Sequence, residues 1–315
     1  MSEQTLAFVF PGQGSQKVGM LADLAEEYGV VAETFAEASD VLGYDLWELV
    51  QKGPQEQLNL TERTQPMLLA ASTAVWRVWQ AQNGAVPARL AGHSLGEWSA
   101  LVAADVVNFA DAIALVQLRG KLMQDAVPAG QGGMAAIIGL EDEAIIKACE
   151  QGAEGEVVAP VNFNSPGQVV IAGASAAVDR AMALCKAAGA KRALALPVSA
   201  PFHTSLMQPA ADGLAPKIAE TEFRAPSIPV IHNVHAKRES DPEAIKRLMI
   251  EQIYSPVLWV DCVRALVNEG VATTVECGPG KVLSGLNKRI DKSLNTLSIE
   301  SPDDLQAVLQ QTKGE

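Results

Sequence analysis

Residues 92–96, with the sequence Gly-His-Ser-Leu-Gly, have the types and spacing of a serine nucleophile held on a sharp turn. An apolar segment precedes them, and a segment with helical periodicity follows from Glu97. Such a turn between a strand and a helix is too tight for side chains at its two glycines, and it exposes the serine hydroxyl beside the next backbone N–H. We expect Ser94 to be a nucleophile and the N–H of Leu95 to lie beside it, with an ordinary strand-to-helix turn as the alternative.

A serine becomes a useful nucleophile only when a base takes its proton. Of the four histidines, His203 is the best candidate, because it lies in a loop after a predicted strand at the mouth of a predicted cleft. A loop histidine bonded to its own backbone is the alternative. His93 is expected to orient the turn or fill space, and His232 and His235 are weaker candidates. No Asp or Glu occupies the third-member place of a Ser-acid-His series, so a backbone carbonyl is the expected partner of the imidazole.

Arg119 is predicted to lie on a helix that is apolar over much of its surface, beside Leu115, Val116 and Met123 at helical spacing. A guanidinium in that position needs a buried anion, and a carboxylate fits its fork best. The carboxylate belongs either to an Asp or Glu of the protein or to a substrate.

Two glycines flank Gln13 in the loop after the first predicted strand. This loop fits neither G-x-G-x-x-G nor a P-loop, so nucleotide phosphates are not expected to bind there. The accessible backbone N–H of Gln13 suits the second donor of an oxyanion hole as readily as a plain turn.

The order of the predicted elements indicates an α/β fold with a hydrolase-like parallel-sheet core. One helix is predicted to begin at Pro66, as suits a first helical turn, and another to span 109–125. In the middle of the chain the order becomes β-α-β-β-α-β, the split unit of a ferredoxin-like domain. We predict a core from residues 1–129 and 198–315 that carries the nucleophile turn, an inserted ferredoxin-like subdomain at 130–197, and a substrate cleft between them.

Composition excludes several functional classes. The 315 residues are 48% hydrophobic, enough for a full core, and their formal net charge of −13 disfavours nucleic acid and anionic lipid as partners. The four cysteines are far apart and no His stands at metal-ligand spacing, so no disulfide framework and no metal site are expected. The uncharged stretch 157–178 is broken by Pro and Asn, and the N-terminus lacks the pattern of a secretory signal. We expect a cytoplasmic protein without a membrane segment.

Six separated motifs follow one another along the chain. They are FPGQGSQ at 10–16, GHSLGE at 92–97, Arg119, NFNSPGQ at 162–168, PFH at 201–203 and GPGK at 278–281. Together they resemble the malonyl-CoA:acyl carrier protein transacylase family, and the resemblance covers essentially the whole chain. Trp98 stands where that family often has Tyr.

The resemblance implies a ping-pong transfer of a malonyl group from malonyl-CoA to the phosphopantetheine thiol of acyl carrier protein. Ser94 would be the acylated residue and His203 its base, oriented by the backbone carbonyl of Gln252. No cofactor is implied beyond the two substrates. The carrier would dock transiently, and we expect a monomer.

The resemblance also assigns residues to the acyl group. The backbone N–H groups of Gln13 and Leu95 would form the oxyanion hole, and Arg119 would bind the malonyl carboxylate. The residues implied to line the acyl site are Asn162, Met123 and Val282.

Alternative functions stay open from the sequence. The function that the resemblance implies is the supply of malonyl-carrier for fatty acid chain elongation. The alternatives are a malonyltransferase of a polyketide pathway, a serine thioesterase or hydrolase, and a catalytically silent carrier-binding protein. An acidic carrier would need a local basic patch despite the net charge of −13. The candidate patches are Lys191-Arg192 and Lys288-Arg289 with Lys292, each of which is alternatively an ordinary solvated surface.

Overall fold

The computed structural model describes residues 5–198 and 200–313. The strands are β1 (Thr5–Phe10), β2 (Arg89–Gly92), β3 (Gly132–Ile138), β4 (Val158–Ser165), β5 (Gln168–Ala174), β6 (Arg192–Ala195), β7 (Val230–Ile231), β8 (Val271–Cys277) and β9 (Asn295–Ile299). The α-helices are α1 (Ala22–Glu27), α2 (Gly29–Leu42), α3 (Leu46–Lys52), α4 (Gln55–Leu58), α5 (Thr61–Ala81), α6 (Leu95–Ala103), α7 (Phe109–Asp125), α8 (Asp142–Ala153), α9 (Ser175–Ala187), α10 (Gln208–Glu220), α11 (Pro242–Glu251), α12 (Trp259–Asn268), α13 (Val282–Ile290) and α14 (Pro302–Gln311). Short 3₁₀ turns cover Ser205–Met207 and Gln252–Tyr254.

The larger sheet is parallel, with the strand order β7-β2-β1-β8-β9. Because successive side chains of a strand point to opposite faces, Phe8 and Phe10 of β1 belong to one buried cluster and Ala7 and Val9 to another. Helices therefore cover both faces of the sheet. From β1 the chain adds β2 and β7 on one side and β8 and β9 on the other. The carboxyl ends of β1, β2 and β8 thus flank a topological switch point, the usual ligand position in such sheets.

The smaller sheet is antiparallel, with the order β4-β5-β3-β6. Its elements follow the chain order β3-α8-β4-β5-α9-β6, which confirms the predicted ferredoxin-like unit. Ala135 and Ile137 of β3 pack in the cluster beneath α8 and α9, whereas Met134 belongs to the cluster that contains Phe8. One face of the smaller sheet therefore contacts the core of the larger unit.

Backbone hydrogen bonds join β4 to the larger unit. The N–H of Phe163 donates to the carbonyl of Val257 (3.0 Å), and the N–H of Val257 donates to the carbonyl of Val161 (2.8 Å). These bonds lie only a few residues after Gln252. The smaller sheet is therefore tied to the core by more than its two chain connections, and the division into 1–129 with 198–315 and 130–197 stays a prediction.

The prediction that a helix begins at Pro66 is wrong, because α5 begins at Thr61. The N–H groups of Arg63 and Thr64 donate to the carbonyl of Leu60 (2.7 and 2.8 Å), so a full turn is closed before the proline. Pro66 in the second turn removes one intrahelical hydrogen bond, to residue 62. The predicted helix at 109–125 is confirmed as α7. Across residues 5–198 and 200–313, no helix is both long and apolar enough to cross a membrane.

Candidate active site

The turn between β2 and α6 is so sharp that only glycine fits at positions 92 and 96. A Cβ atom on Gly92 would overlap the carbonyl of Gly96, and a Cβ atom on Gly96 would overlap the carbonyl of Phe10. Ser94 between them has φ 52° and ψ −106°, a positive-φ conformation outside the left-handed helical region that costs energy for any residue but glycine. The fold therefore holds the serine in a strained position at the carboxyl edge of the sheet, as expected of a nucleophile turn.

The hydroxyl of Ser94 lies against the imidazole of His203. Its Oγ is 2.8 Å from Nε2, and Nδ1 of the same ring is 2.8 Å from the backbone carbonyl of Gln252. Because a carbonyl only accepts, Nδ1 carries the proton and Nε2 is free to accept from the serine. The structure brings together the serine, the histidine and a backbone carbonyl, as the sequence predicted, and the carbonyl is that of Gln252, which the family resemblance implied.

The pKa of His203 is lowered from 6.5 to about 3. Burial is the largest cause, because it disfavours the imidazolium, and the positive charge of Arg119 is the second; the hydrogen bond to Gln252 acts in the opposite direction. The residue is only 5% exposed. His203 is therefore neutral at neutral pH, the state in which it can take a proton.

Arg119 lies beside the dyad and is 1% exposed. Its Nη1 donates to Oε1 of Gln65 (2.7 Å), and its Nη2 donates to Oε1 of Gln252 (2.9 Å) and to Oγ of Ser94 (3.3 Å). Neutral amides thus take the place of the internal carboxylate that the sequence left open, and no ion pair of Arg119 occurs among the described residues. Burial lowers its pKa to about 10, against the opposing effect of Glu97, so the guanidinium stays charged.

Two backbone N–H groups, of Gln13 and Leu95, lie in the segments that form the nucleophile turn and the loop packed on it. The loop after β1 packs directly on the turn, since a Cβ atom on Gly12 would lie 2.6 Å from the carbonyl oxygen of His93. Gln13 follows in that loop, and Leu95 is the first residue of α6, where a helical N–H has no partner within its helix. Over the described ranges, neither N–H is hydrogen-bonded. Both donors are therefore available to a ligand oxygen.

A cavity of about 390 Å³ opens in front of Ser94, between the larger unit and the smaller sheet. Its wall includes Asn162 of β4, whose buried Oδ1 has no partner in residues 5–198 and 200–313. Met123 is buried and accepts a hydrogen bond from Gln65, and Val282 is 53% exposed at the start of α13; neither is among the lining residues. The residues that line the cavity are Gln13, Gly14, Gln16, Asn59, His93, Ser94, Met134, Asn162, Leu196, Pro197, Val198, Phe202 and His203.

Sequence reasoning missed the polar residues behind the turn. Asn233 accepts from the N–H of Ser94 through Oδ1 (2.8 Å) and donates through Nδ2 to the carbonyl of Gly92 (2.8 Å). Glu97 is fully buried and contacts both His232 and Gln252. The only sequence signal is the position of Asn233 after a short buried strand, because every one of these contacts joins segments far apart in the chain.

The remaining histidines have other partners. Nε2 of His93 lies 2.7 Å from Oδ1 of Asn164 in β4, and burial lowers the pKa of the ring, so His93 links the turn to the smaller sheet. His235 packs edge-on against His232 at 6.0 Å. Within the part of the chain that the structure describes, no three His, Cys, Asp or Glu side chains cluster in a way that would hold a metal ion.

These groups together suit acyl transfer. A serine hydroxyl bonded to a neutral imidazole supplies the nucleophile and its base. The backbone N–H groups of Gln13 and Leu95, which are free within the described part of the chain, can serve as donors to a tetrahedral oxyanion. The buried guanidinium of Arg119 is hydrogen-bonded there to neutral groups alone and lies 3.3 Å from the serine oxygen, so it can receive an acyl group that carries an anion.

Comparisons with known proteins agree with this chemistry. The family model of the acyl transferase domain matches residues 7–299. A malonyl CoA-acyl carrier protein transacylase of Salmonella typhimurium is 61% identical over 305 residues, which are 97% of this chain and 99% of the relative. A crystal structure of an acyl carrier protein S-malonyltransferase from Vibrio cholerae superposes with a TM-score of 0.95 at 64% identity, covering 97% of this chain and 100% of that one.

A third match is a complex. It contains a type II PKS acyl-carrier protein with its malonyl-transacylase, and it matches with a TM-score of 0.97 at 56% identity, covering 98% of this chain and 100% of that one. Family model, sequence relatives and solved structures thus agree over nearly the full length. The chain belongs to the acyl transferase family, in its group of malonyl CoA-acyl carrier protein transacylases.

Proposed function

We propose that the protein transfers the malonyl group from malonyl-CoA to the phosphopantetheine thiol of acyl carrier protein, through an ester on Ser94. The observation that carries this proposal is the environment of Arg119. A charged guanidinium, buried and bonded to two glutamine oxygens, lies 3.3 Å from the nucleophile. Among the described residues no carboxylate pairs directly with this guanidinium, and a buried charge without a paired counter-ion is costly. The free carboxylate of a malonyl group supplies that paired anion.

In the first half-reaction, Oγ of Ser94 attacks the thioester carbonyl while its proton moves to Nε2 of His203. The carbonyl oxygen becomes an oxyanion, which accepts from the N–H groups of Gln13 and Leu95; each such donor contributes about 2.7–4 kcal/mol to the transition state. When the intermediate collapses, the C–S bond breaks and CoA leaves with the proton from His203. A malonyl-serine ester and free CoA result.

In the second half-reaction, the pantetheine thiol gives its proton to Nε2 of His203, and the sulfur attacks the ester carbonyl. The same two N–H groups hold the oxyanion. The C–O bond to Ser94 then breaks, and His203 returns the proton to Oγ. The bond from Nδ1 to the carbonyl of Gln252 keeps the ring in one tautomer throughout, and it supports the imidazolium that forms in each half.

The remaining site assignments follow from the same cavity. Asn162 lines it, and its Oδ1, which has no partner in the described part of the chain, suits a donor on the substrate. Met123 supports Gln65, the partner of Arg119, and so contributes to the acyl site from behind. The assignment of Val282 to the acyl site rests on the family resemblance alone.

For the carrier, we propose docking near the cavity mouth. Lys191 and Arg192 are exposed at the start of β6, the strand that leads into the cavity wall at Leu196. Arg289 is exposed in α13 and donates to Gln168 of the smaller sheet (2.7 Å). These cations offer an acidic carrier local attraction within a net charge of −13. A monomeric protein in the cytoplasm, with no cofactor beyond its two substrates, completes the proposal.

The experiment is intact-protein mass spectrometry after mixing with malonyl-CoA alone. We expect a stoichiometric malonyl adduct that maps to Ser94, that is absent in Ser94→Ala, and that disappears on addition of holo acyl carrier protein as malonyl-carrier forms. Release of free malonate at a rate that the carrier does not change would show a hydrolase instead. Failure of the wild-type protein to form any adduct would overturn the proposal.

A further inference from the structure

Glu97 is a fully buried carboxylate behind the nucleophile turn, in the first turn of α6. Its Oε1 accepts from Nδ1 of His232 (2.7 Å), and its Oε2 accepts from the backbone N–H of Asn233 (3.1 Å) and from Nε2 of Gln252 (2.6 Å). Neither Lys nor Arg forms an ion pair with it within the described ranges. Three donors from distant parts of the chain therefore fix both oxygens.

The side chain of Gln252 lies between Glu97 and Arg119 and fits in one orientation only. Its Nε2 donates to the carboxylate and to the backbone carbonyl of Ser94 (3.0 Å), both of which only accept. Its Oε1 accepts from Nη2 of Arg119 (2.9 Å), which only donates. In the reversed orientation, the NH₂ group of Gln252 would face the guanidinium of Arg119, and its oxygen would face the carboxylate of Glu97 and the carbonyl of Ser94. Glu97 thus determines which end of the amide meets the guanidinium.

The same contacts reach the dyad and the turn. Gln252 also supplies the carbonyl that orients His203. Asn233, whose N–H is bonded to Glu97, holds the N–H of Ser94 through its side chain (2.8 Å). Glu97 therefore contacts the two residues that support the nucleophile, the base and the guanidinium, while touching none of the reacting atoms itself.

We propose that Glu97 is a positioning residue for acyl selection: by accepting from Gln252 it aims the Arg119 guanidinium at the acyl group on Ser94. This inference rests on the proposed function and deepens it. A purely structural role is the competing explanation, since an acid in the first turn of a helix is favoured by the helix dipole. That role needs the negative charge near the helix start, whereas the positioning role needs an acceptor oxygen at the right reach.

Two conservative variants separate reach from charge. Glu97→Asp keeps the charge but withdraws the carboxylate by one methylene from Gln252. Glu97→Gln keeps the reach and loses the charge: its oxygen still accepts from Gln252 and Asn233, while its NH₂ donates to Nδ1 of His232 once that ring adopts its other tautomer. Nε2 of His232 has no partner among the described residues, so no donor there opposes the change of tautomer. The proton that it gains is buried without an acceptor, which lowers the free energy of unfolding but leaves the reach to Gln252 unchanged.

The measurement is the rate of acyl-enzyme formation with malonyl-CoA and with acetyl-CoA, followed by rapid-quench mass spectrometry. In Glu97→Asp we expect the malonyl rate to fall about 100-fold, the cost of a misplacement near 1 Å, and the ratio of malonyl to acetyl rates to fall at least tenfold. In Glu97→Gln we expect both rates to stay within about fivefold of wild type, equivalent to about 1 kcal/mol.

The matched control is Glu276→Asp. Glu276 is equally buried at the same sheet edge and accepts from the backbone N–H groups of Leu283 (3.1 Å) and Ser284 (2.7 Å). We expect this variant to lower the melting temperature without changing the malonyl-to-acetyl ratio. Circular dichroism of every variant confirms that folded protein is compared.

Two outcomes would overturn the positioning role. One is an unchanged malonyl-to-acetyl ratio in Glu97→Asp, whether or not both rates fall, and the other is a loss in Glu97→Gln as large as in Glu97→Asp. The proposed function fails separately, if the wild-type protein forms no malonyl ester on Ser94.

Discussion

Two glutamates are buried at the carboxyl edge of the same parallel sheet, and they do different work. Glu276 near the end of β8 accepts from the N–H groups of Leu283 and Ser284, the second and third residues of α13. Burial raises the pKa of this carboxyl, and its bonds to those two N–H groups oppose the rise. Glu97 after β2 is bonded instead to His232, Asn233 and Gln252. The first carboxylate caps a helix, and the second joins three segments.

The two carboxylates differ in the further contacts of the groups that donate hydrogen bonds to them. Gln252 and Asn233 both contact the backbone of Ser94, so their orientation is transmitted to the nucleophile. The backbone geometry follows the same division. After β8, Gly278 and Gly280 take the positive φ angles (144° and 83°), whereas after β2 Ser94 itself takes one (52°). After β2, a positive φ at a non-glycine residue thus coincides with polar contacts to the backbone of that residue. After β8, the positive φ angles lie on glycines, and the polar contacts of Glu276 cap α13 instead.

Of the variants that test this difference between the two glutamates, Arg119→Ala is expected to have the largest effect on the acylation rate. It removes the guanidinium that Glu97 orients through Gln252. A malonyl carboxylate left unpaired in the cavity costs about 2–5 kcal/mol, so the rate of Ser94 malonylation should fall by about 30-fold to several thousand-fold. Acetylation should change little or rise. Rapid-quench measurement with both thioesters decides the point.

Lys121→Ala is the control for Arg119→Ala, because Lys121 is an exposed cation on the same helix, paired with Asp125. It should leave both rates unchanged. Equal losses of malonyl and acetyl transfer in Arg119→Ala would show that the guanidinium supports the fold of the site rather than the choice of acyl group.

Glu276→Gln should act on stability alone. Its NH₂ would face a backbone N–H at the start of α13, and one orphaned buried donor costs about 1–3 kcal/mol of the free energy of unfolding. Urea unfolding of variant and wild type measures that difference, and rapid-quench rates on the folded variant should match wild type. A loss of malonyl selectivity in Glu276→Gln would erase the distinction between the two glutamates.

Local sequence rules predicted the parts of the site that are local. Two glycines that flank Ser94 by two residues imply the sharp turn, and the structure shows that neither tolerates a Cβ atom. The hydrophobic pattern predicted α7, and the β-α-β-β-α-β order predicted the smaller sheet. The prediction from Pro66 was wrong because it used the common position of proline in a first helical turn. In α5 a turn that begins with hydrogen bonds to the carbonyl of Leu60 precedes Pro66, so the proline lies in the second turn.

Long-range polar contacts were beyond those rules. Glu97 meets partners that lie 135, 136 and 155 residues away in the chain. An acid in a first helical turn is ordinary in isolation, so nothing in the sequence near Glu97 distinguishes it from a solvated side chain. The same limit explains why the carbonyl of Gln252 came only from a family resemblance, whereas the double use of that residue, through backbone and side chain, came from the structure.

The pH dependence of acylation should show how far the field of Arg119 reaches. His203 acts as a base only when neutral, and its pKa is about 3, so the rate should be constant around neutral pH and fall as the pH drops towards that value. Removing the guanidinium charge raises this pKa while burial still holds it below 6.5. In Arg119→Ala the acid limb for acetyl-CoA should therefore move to higher pH. If the acid limb of the pH–rate profile stayed in place in Arg119→Ala, the pKa of His203 would be lowered by burial and not by the charge of Arg119.

The smallest effect is expected from Gln13→Ala, because the proposed oxyanion donor is the backbone N–H and not the side chain. Among the described residues, the side-chain amide of Gln13 makes a single long hydrogen bond, 3.5 Å to Oγ1 of Thr61. Its loss should therefore lower kcat by less than about tenfold, near 1.4 kcal/mol. Gln13→Pro removes the N–H itself and should cost about 2.7–4 kcal/mol. If Gln13→Ala were as slow as Gln13→Pro, the oxyanion donor would be the side-chain amide of Gln13 and not its backbone N–H. The loop after β1 would then contribute through its side chain, as Gln252 does, and the backbone contact that its glycine makes with the nucleophile turn would serve packing alone.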